Sequence, residues 1–286
     1  LMKEEGICFQ TNAHVGVNVS VEELRENHDA ILLCGGAEKP RDLPLEGRDL
    51  QGIHFAMEFL IQQNRRVEGD VIPERQSITA KDKNVLIVGG GDTGSDCLGT
   101  SLRQGAKKVY QFQLRPAPQK NRADSNPWPE WPDIYHVSSS HEEALEEVRD
   151  FCVLPKKFSG ENGRVKKVHA VKVHFEHLDP KTGRPKVTEI PGSEFELEID
   201  LVLLAKGFVH PVREGMVKQL GVQLDPRGNV ECDANKMTSV PGVFVAGDMA
   251  RGTSLVVWAI AEGREAARGI DEYLMGATTL PHSEFL

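Results

Sequence analysis

The stretch Lys83-Asn84-Val85-Leu86-Ile87-Val88-Gly89-Gly90-Gly91-Asp92-Thr93-Gly94 decides the fold class. A short apolar run delivers the chain into Gly-x-Gly-x-x-Gly, and a helical pattern leaves it. Strand, glycine turn and helix in that order are what a dinucleotide-binding turn requires. Gly89 allows the tight bend, Gly91 keeps a Cβ out of the path of a pyrophosphate, and Gly94 lets the helix pack closely on its strand. Unpaired N–H groups and the positive end of the helix dipole then face the phosphates. A glycine-rich connector alone can be a simple turn, so the flanks carry the weight. A helix is predicted from about Ser95 to Gly105, with Cys97, Leu98, Ser101 and Leu102 on one stripe. The run from Val109 to Leu114 follows as a second strand.

Composition agrees with a soluble α/β protein. The 286 residues suffice for about two domains, each with its own core. A net charge of −9 and a pI near 5.6 give no electrostatic reason for a nucleic acid or anionic membrane partner. The longest apolar runs, such as Leu201-Val202-Leu203-Leu204-Ala205, have the length of a strand and not of a bilayer span. Leu1-Met2-Lys3-Glu4-Glu5 is polar, unlike a signal peptide, and leads into a strand-like Ile7-Cys8-Phe9. A cytoplasmic protein is expected.

Cys8, Cys34, Cys97, Cys152 and Cys232 are scattered and contain no Cys-x-x-Cys pair. Reduced, buried thiols are expected, not a disulfide framework, and this chain offers no iron–sulfur or zinc ligand set of its own. His169, His174 and His177 lie on a strand-like run. His174 points away from the other two, which are about 26 Å apart along a strand.

The segment before the glycine turn reads as the later part of a domain. Ser20-Val21-Glu22-Glu23 has capping-box spacing for a short helix, and Ala30-Ile31-Leu32-Leu33-Cys34-Gly35-Gly36 reads as a buried strand ending in a glycine turn. Helical character around Phe55-Ala56-Met57-Glu58-Phe59-Leu60 precedes a polar stretch, 64–83, which is the candidate linker. After Leu114, Pro116, Pro118, Pro127, Pro129 and Pro132 impose an irregular loop that carries Trp128 and Trp131. Ser140-His141-Glu142-Glu143 restarts a helix. Alternation at Val171, Val173 and Phe175, with a turn at Asp179-Pro180-Lys181-Thr182-Gly183, suggests a β-meander before the buried run at Leu201.

A second candidate site lies near the C-terminus. Val243-Phe244-Val245-Ala246-Gly247-Asp248 is a buried strand ending in Gly-Asp, followed by Arg251-Gly252-Thr253-Ser254 and a helix holding Val257, Trp258, Ile260 and Ala261. At the carboxyl edge of a parallel sheet, the Asp carboxylate can accept a hydroxyl hydrogen bond while the helix N-terminus faces phosphate or a flavin edge.

Four separated motifs together resemble one family: 89–97, the segment Gly52-Ile53-His54-Phe55-Ala56-Met57-Glu58-Phe59-Leu60, the Asn-Pro-Trp-Pro loop at 126–132, and 247–263. They are similar to the small (β) subunit of glutamate synthase, or to the equivalent C-terminal region of a fused glutamate synthase. The resemblance covers nearly the whole chain. It implies an α/β fold of the flavoprotein reductase type with two dinucleotide-binding domains, a Rossmann-like NAD(P) domain being inserted into a partial FAD-binding domain. The expected boundaries are 1–80 for partial FAD domain and linker, 81–207 for the NAD(P) domain with its meander, and 208–286 for the rest of the FAD domain.

The resemblance also implies a role. Hydride would pass from NADPH or NADH to FAD, and electrons would leave through iron–sulfur clusters to the large subunit or domain, where glutamate forms. Gly89, Gly91, Asp92, Thr93 and Gly94 would hold the nicotinamide dinucleotide; Gly36, Gly247, Asp248, Thr253, Ser254 and Leu255 would meet FAD. Asp92 could equally cap its helix, turned away from the phosphates. No side chain is expected to act as general acid or base, because hydride passes directly between the two rings. The family's Cys-rich region and first FAD glycine fingerprint are absent here, so a fragment of a longer polypeptide with an incomplete FAD site is expected.

Two other readings stay open: a non-catalytic NAD(P)-binding module, or another FAD/NADPH reductase of the dihydropyrimidine dehydrogenase or adrenodoxin reductase type. The tryptophan loop either packs on its own domain, the preferred reading, or docks a large subunit. For the cofactor, no Asp or Glu occurs from Cys97 through Ala123, where an NAD-selective fold would place one. Arg115 instead follows the second strand, with Lys120 and Arg122 behind it. This favours NADPH, the alternative being that these are solvated loop charges.

Overall fold

The computed structural model describes residues 1–286 except 129, 131–132, 145–146, 179–184 and 284–286. Trp131, the side chain of His177 and the turn expected at 179–183 lie outside the described residues. The chain forms two compact units, Leu1–Lys39 with Phe208–Leu286, and Pro40–Gly207 inserted between those two segments.

The first unit opens with helix α1 (Val21–Asn27) and strand β1 (Ile31–Leu33). Ser20 Oγ accepts the Glu23 amide at 3.2 Å, so the expected N-cap is in place. The run Ile7-Cys8-Phe9 is not a strand: turns at 1–7 close on themselves, the Ile7 amide donating to the Met2 carbonyl at 3.0 Å, and Phe9 is exposed.

The second unit contains β2 (Ile53–Phe55), α2 (Ala56–Val67), β3 (Asn84–Val88), α3 (Asp92–Arg103), β4 (Lys108–Gln113), α4 (Ser139–Glu143), β5 (Arg149–Phe151), β6 (Val153–Glu161), β7 (Arg164–Leu178), β8 (Pro185–Glu189), β9 (Phe195–Glu198) and β10 (Leu201–Leu204). Its main sheet has the order β2-β10-β3-β4-β5, and every pairing is parallel. Both faces are covered, which is why β3 and β10 read as unbroken apolar runs. Val85 and Ile87 pack with Phe59 of α2 and with Cys97 and Leu98 of α3. Leu86 and Val88 pack on the other face with Val153, Phe158, Val165 and Val168 of the antiparallel strands. The unit is thus three layers, helices on a parallel sheet on an antiparallel sheet.

In the antiparallel layer β6, β7 and β8 pair in sequence order, and β9 departs from a meander by pairing back on β7. Asn162 and Gly163 join β6 to β7 with φ of 50° and 74°, the left-handed geometry that an Asn-Gly hairpin turn supplies.

The inserted unit begins at Pro40, not at residue 81. β2 is the edge strand of the parallel sheet, with Ile53 aligned to Val202 of β10. The polar stretch 64–83 is no linker. Arg66 Nη2 donates to Ser77 Oγ at 2.7 Å and to the Ile78 carbonyl at 3.1 Å, while Ile78 and Ala80 are buried in the helix-side core. Arg65 pairs with Asp70 within the stretch, and two of its apolar residues, Ile78 and Ala80, do the anchoring.

The chain then returns to the first unit through α5 (Met216–Leu220), β11 (Val243–Val245), α6 (Asp248–Arg251) and α7 (Val256–Met275). β1 and β11 pair in parallel, and Leu33, Val243 and Val245 form a core with Val217, Leu220 and Met249. β1 is only partly buried, since Leu32 is 37% exposed. The cysteines are free and not uniformly buried: Cys97 is buried, Cys152 and Cys232 are half-buried, and Cys8 and Cys34 are exposed. Cys34 follows the last paired residue of β1, where the ladder no longer covers it. Among the described residues no helix is long and apolar enough to cross a membrane.

Candidate functional site

The carboxyl end of β3 is where the order of the parallel sheet reverses. From β3 the chain moves through α3 to β4 and then β5 on one side, while β10 and β2 lie on the other. Crevices at such switch points are where ligands bind in open parallel sheets. The glycine turn sits at this position. Gly89 has φ of +132°, and a Cβ there would lie 2.0 Å from the carbonyl oxygen of Ala205, just past the end of β10. Only glycine fits. At Gly94 a Cβ would lie 2.7 Å from the Gly89 carbonyl, so the first turn of α3 presses onto the loop.

Gly91 differs from both. A Cβ there would meet nothing within 4 Å, and its φ is an ordinary −83°. Packing within the protein does not demand glycine at this position; a ligand approaching the backbone would. Gly91 is also the N-cap of α3, and no side chain caps that helix. The amides of the first turn, at Asp92, Thr93 and Gly94, are left for another acceptor. Asp92 is exposed in that turn and does not occupy the capping position.

β4 and α4 each carry a polar residue that sequence reading passed over. Gln111 is fully buried on the face that packs against α3, and its Nε2 donates to the Gly89 carbonyl at 2.9 Å. Its Oε1 accepts from His141 Nε2 of α4, also at 2.9 Å. Burial, then the nearby Arg149 charge, holds the His141 imidazole below its ordinary pKa. The available signal was the parity of β4: Val109 and Gln111 share a face, so a glutamine stands where the pattern calls for an apolar residue. At the end of β10, Lys206 Nζ donates to the Asp42 carbonyl at 2.8 Å; burial, then Arg41, lowers its pKa.

Beyond β4, Arg115 is exposed. Arg122 is tied into its own loop, Nη1 donating to the Asn126 carbonyl at 2.8 Å and to the Glu130 carbonyl at 3.2 Å. Trp128 is 64% exposed, against the expectation that it packs on its own domain.

The first unit holds the second candidate site. β11 delivers the buried Gly247, with φ of +68°, into α6. Asp248 accepts at Oδ1 from the Ser254 amide at 3.2 Å and from the Ser254 hydroxyl at 3.1 Å, which closes the 248–254 turn. The turn presents Thr253 and Ser254, both exposed, just before α7, whose N-cap Leu255 makes no side-chain cap. Gly36, with φ of +78° and open space where a Cβ would stand, lies past the end of β1, and the Gly35 amide donates to Met249 Sδ at 3.0 Å. Behind the turn, Glu262 of α7 is 3% exposed and receives the Gly247 amide at 2.8 Å. Arg251 Nε at 3.0 Å and Lys236 Nζ at 3.2 Å flank the same carboxylate. A glutamate within the small-residue run of α7 was the overlooked signal.

Residues 1–263 match the family model described as pyridine nucleotide-disulphide oxidoreductase. The chain is 52% identical over 283 residues to the glutamate synthase [NADPH] small chain of Mycobacterium tuberculosis, covering 98% of this chain and 56% of that protein. It is 40% identical to the corresponding small chain of Bacillus subtilis, covering 98% and 57%. Its identity to the glutamate synthase [NADH] of Schizosaccharomyces pombe is 43%, over 98% of this chain and 14% of that one. The chain therefore spans about half the length of the bacterial relatives it matches. Among solved structures, Mycobacterium tuberculosis FprA in complex with NADPH shares the fold at a TM-score of 0.68 and 18% identity, over 93% of this chain and 68% of that one. Thioredoxin reductase of T. acidophilum shares it at a TM-score of 0.52 and 20% identity, over 86% and 66%. With its parallel sheet, its glycine turn at the switch point and its matched extent, the chain belongs to the pyridine nucleotide-disulphide oxidoreductase family.

Proposed function

We propose that the chain is part of the electron-input portion of a glutamate synthase, with Pro40–Gly207 binding NADPH and the other unit contributing to an FAD site. The observation that carries the reading is Gly91: a glycine with open space over its Cα, at the uncapped N-terminus of a twelve-residue helix on the switch point of a parallel sheet. Gly89 and Gly94 set the turn, and the first amides of α3 receive the pyrophosphate. Arg115 meets the 2′-phosphate, with Arg122 holding the loop beside it. On the flavin side, the Gly247 turn, Gly36, Thr253, Ser254 and Leu255 bring backbone donors and small side chains to the dinucleotide. Asp248 shapes that turn through its bonds to Ser254.

The bound flavin would accept hydride from the nicotinamide; this chain's residues supply position and electrostatics. Onward transfer through iron–sulfur clusters to a large subunit or fused domain, and residence in the cytoplasm, complete the proposal; of these, the names of the relatives, a small chain and a longer glutamate synthase, support the large subunit or fused domain. Those names include both NADPH and NADH enzymes, so NADH is the second reading of the cofactor.

Titration of the purified chain with NADPH and NADH, together with its visible absorption spectrum before and after added FAD, tests the proposal. NADPH binding tighter than NADH binding supports it. Absence of any nicotinamide nucleotide binding overturns it.

A further inference from the structure

We propose that Gln111 and His141 are positioning residues for the dinucleotide turn, fixing the Gly89 carbonyl through a relay of hydrogen bonds that starts at Ser138. The inference rests on reading residues 89–94 as the nucleotide turn.

The direction of every bond in the relay follows from its end. The Gly89 carbonyl can only accept, so the Gln111 amide must turn its Nε2 toward it, at 2.9 Å. Oε1 then faces His141 Nε2 at 2.9 Å and must receive a proton from it. With Nε2–H committed, Nδ1 is the acceptor of a neutral imidazole, and Ser138 Oγ donates to it at 2.7 Å. The Ser138 amide points at the same nitrogen from 3.4 Å. The relay is therefore satisfied in one tautomer, and each member specifies the orientation of the next.

This relay reaches the proposed ligand contacts by two routes. The Gly89 amide donates to the Phe112 carbonyl at 3.0 Å, so β4 holds the loop residue at its N–H through the backbone and at its C=O through Gln111. A Cβ on Gly94 would stand 2.9 Å from Gln111 Nε2, so the same amide is the floor under the first turn of α3. Displacing Gln111 moves the Gly89 carbonyl and the helix N-terminus together. Oriented donors lose much of their value when shifted by a fraction of an ångström. A buried glutamine facing α3 would otherwise be a poor choice, since an apolar residue of equal size would fill the space without needing partners.

The test measures NADPH dissociation constants for the unmodified chain and for Gln111→Met, His141→Leu and His141→Gln. Gln111→Met keeps the volume and removes both bonds; about a tenfold or larger weakening is expected, because the half-buried Gly89 carbonyl loses its side-chain donor. His141→Leu is expected to weaken binding about fivefold, whereas His141→Gln, whose amide can still donate to Gln111 Oε1, stays within about twofold of the unmodified chain. A side chain that merely fills space would not show this rescue. NADPH affinity unchanged in Gln111→Met and His141→Leu overturns the inference, and so does His141→Gln binding as weakly as His141→Leu. If Gln111→Met does not fold, the His141 pair decides alone. An unmodified chain that binds no NADPH defeats the proposed function itself and this inference with it, a result distinct from normal binding that the variants leave untouched.

Discussion

The backbone amide of Gly247 donates to the carboxylate of Glu262, fifteen residues later, at 2.8 Å. Arg251 and Lys236 approach the other oxygen of that carboxylate. One buried anion therefore holds a left-handed glycine and offsets two cations behind the turn that presents Thr253 and Ser254. Removing one member of such a cluster leaves charge uncompensated in a region poor in water. Glu262→Leu is expected to lower unfolding stability by about 3 kcal/mol, and Glu262→Gln, which can still accept the Gly247 amide, by less. Urea denaturation followed by circular dichroism measures both. A loss below about 0.5 kcal/mol for Glu262→Leu would show that the cluster has no such role.

Gly89 and Gly91 stand two residues apart and should respond differently to the same substitution. Gly89→Ala forces a Cβ against the Ala205 carbonyl at positive φ, so about 2 kcal/mol or more of stability is lost. Gly91→Ala meets open space at an ordinary φ, so stability should stay within about 0.5 kcal/mol. NADPH binding should nevertheless weaken at least about tenfold, since the new methyl occupies the ligand's approach. Equal NADPH affinity in Gly91→Ala and the unmodified chain would remove the main support for the nucleotide site.

Arg115→Ala is expected to weaken NADPH binding about tenfold while changing NADH binding by less than about twofold, because only the former carries a 2′-phosphate. Parallel titrations with the two nucleotides measure the difference. A uniform loss would make Arg115 a general contributor to the field, and no loss would leave it a solvated loop charge.

Thiol chemistry should separate the cysteines by burial. Burial, then the nearby Asp96 charge, pushes the Cys97 thiol up to about 12. At pH 8 about one Cys97 in ten thousand is then thiolate, and its burial also blocks the reagent. Iodoacetamide followed by peptide mass spectrometry should label the exposed Cys8 and Cys34 quickly and Cys97 only after unfolding. The sign of the linkage follows. An unfolded chain releases the Cys97 proton above about pH 9 while the folded one retains it, so stability should fall as pH rises from about 9 toward 12. Rapid labelling of Cys97 in the native protein would contradict this.

Sequence alone determined what depends on near neighbours. The apolar run at Val85, the glycine spacing from Gly89 to Gly94 and the stripe on α3 specify strand, turn and helix, because residue periodicity and access to positive φ are local properties. The same holds for the Gly247-Asp248 turn and the Ser20 cap. Tertiary structure decided whatever needed a distant partner. β2 joins the inserted unit because β10, some 150 residues later, offers it a hydrogen-bonding edge, and three residues carry too little pattern to reveal that. The stretch 64–83 looked like a linker because its polar side chains are satisfied by one another, which composition cannot register. The pattern of β4 and the small-residue run of α7 mark Gln111 and Glu262 as out of place, but what these side chains and His141 hold is not legible in the sequence. A buried polar side chain acquires its meaning from the atom it reaches, and those atoms, at Gly89, Gln111 and Gly247, are brought near only when the sheet and its helices have packed.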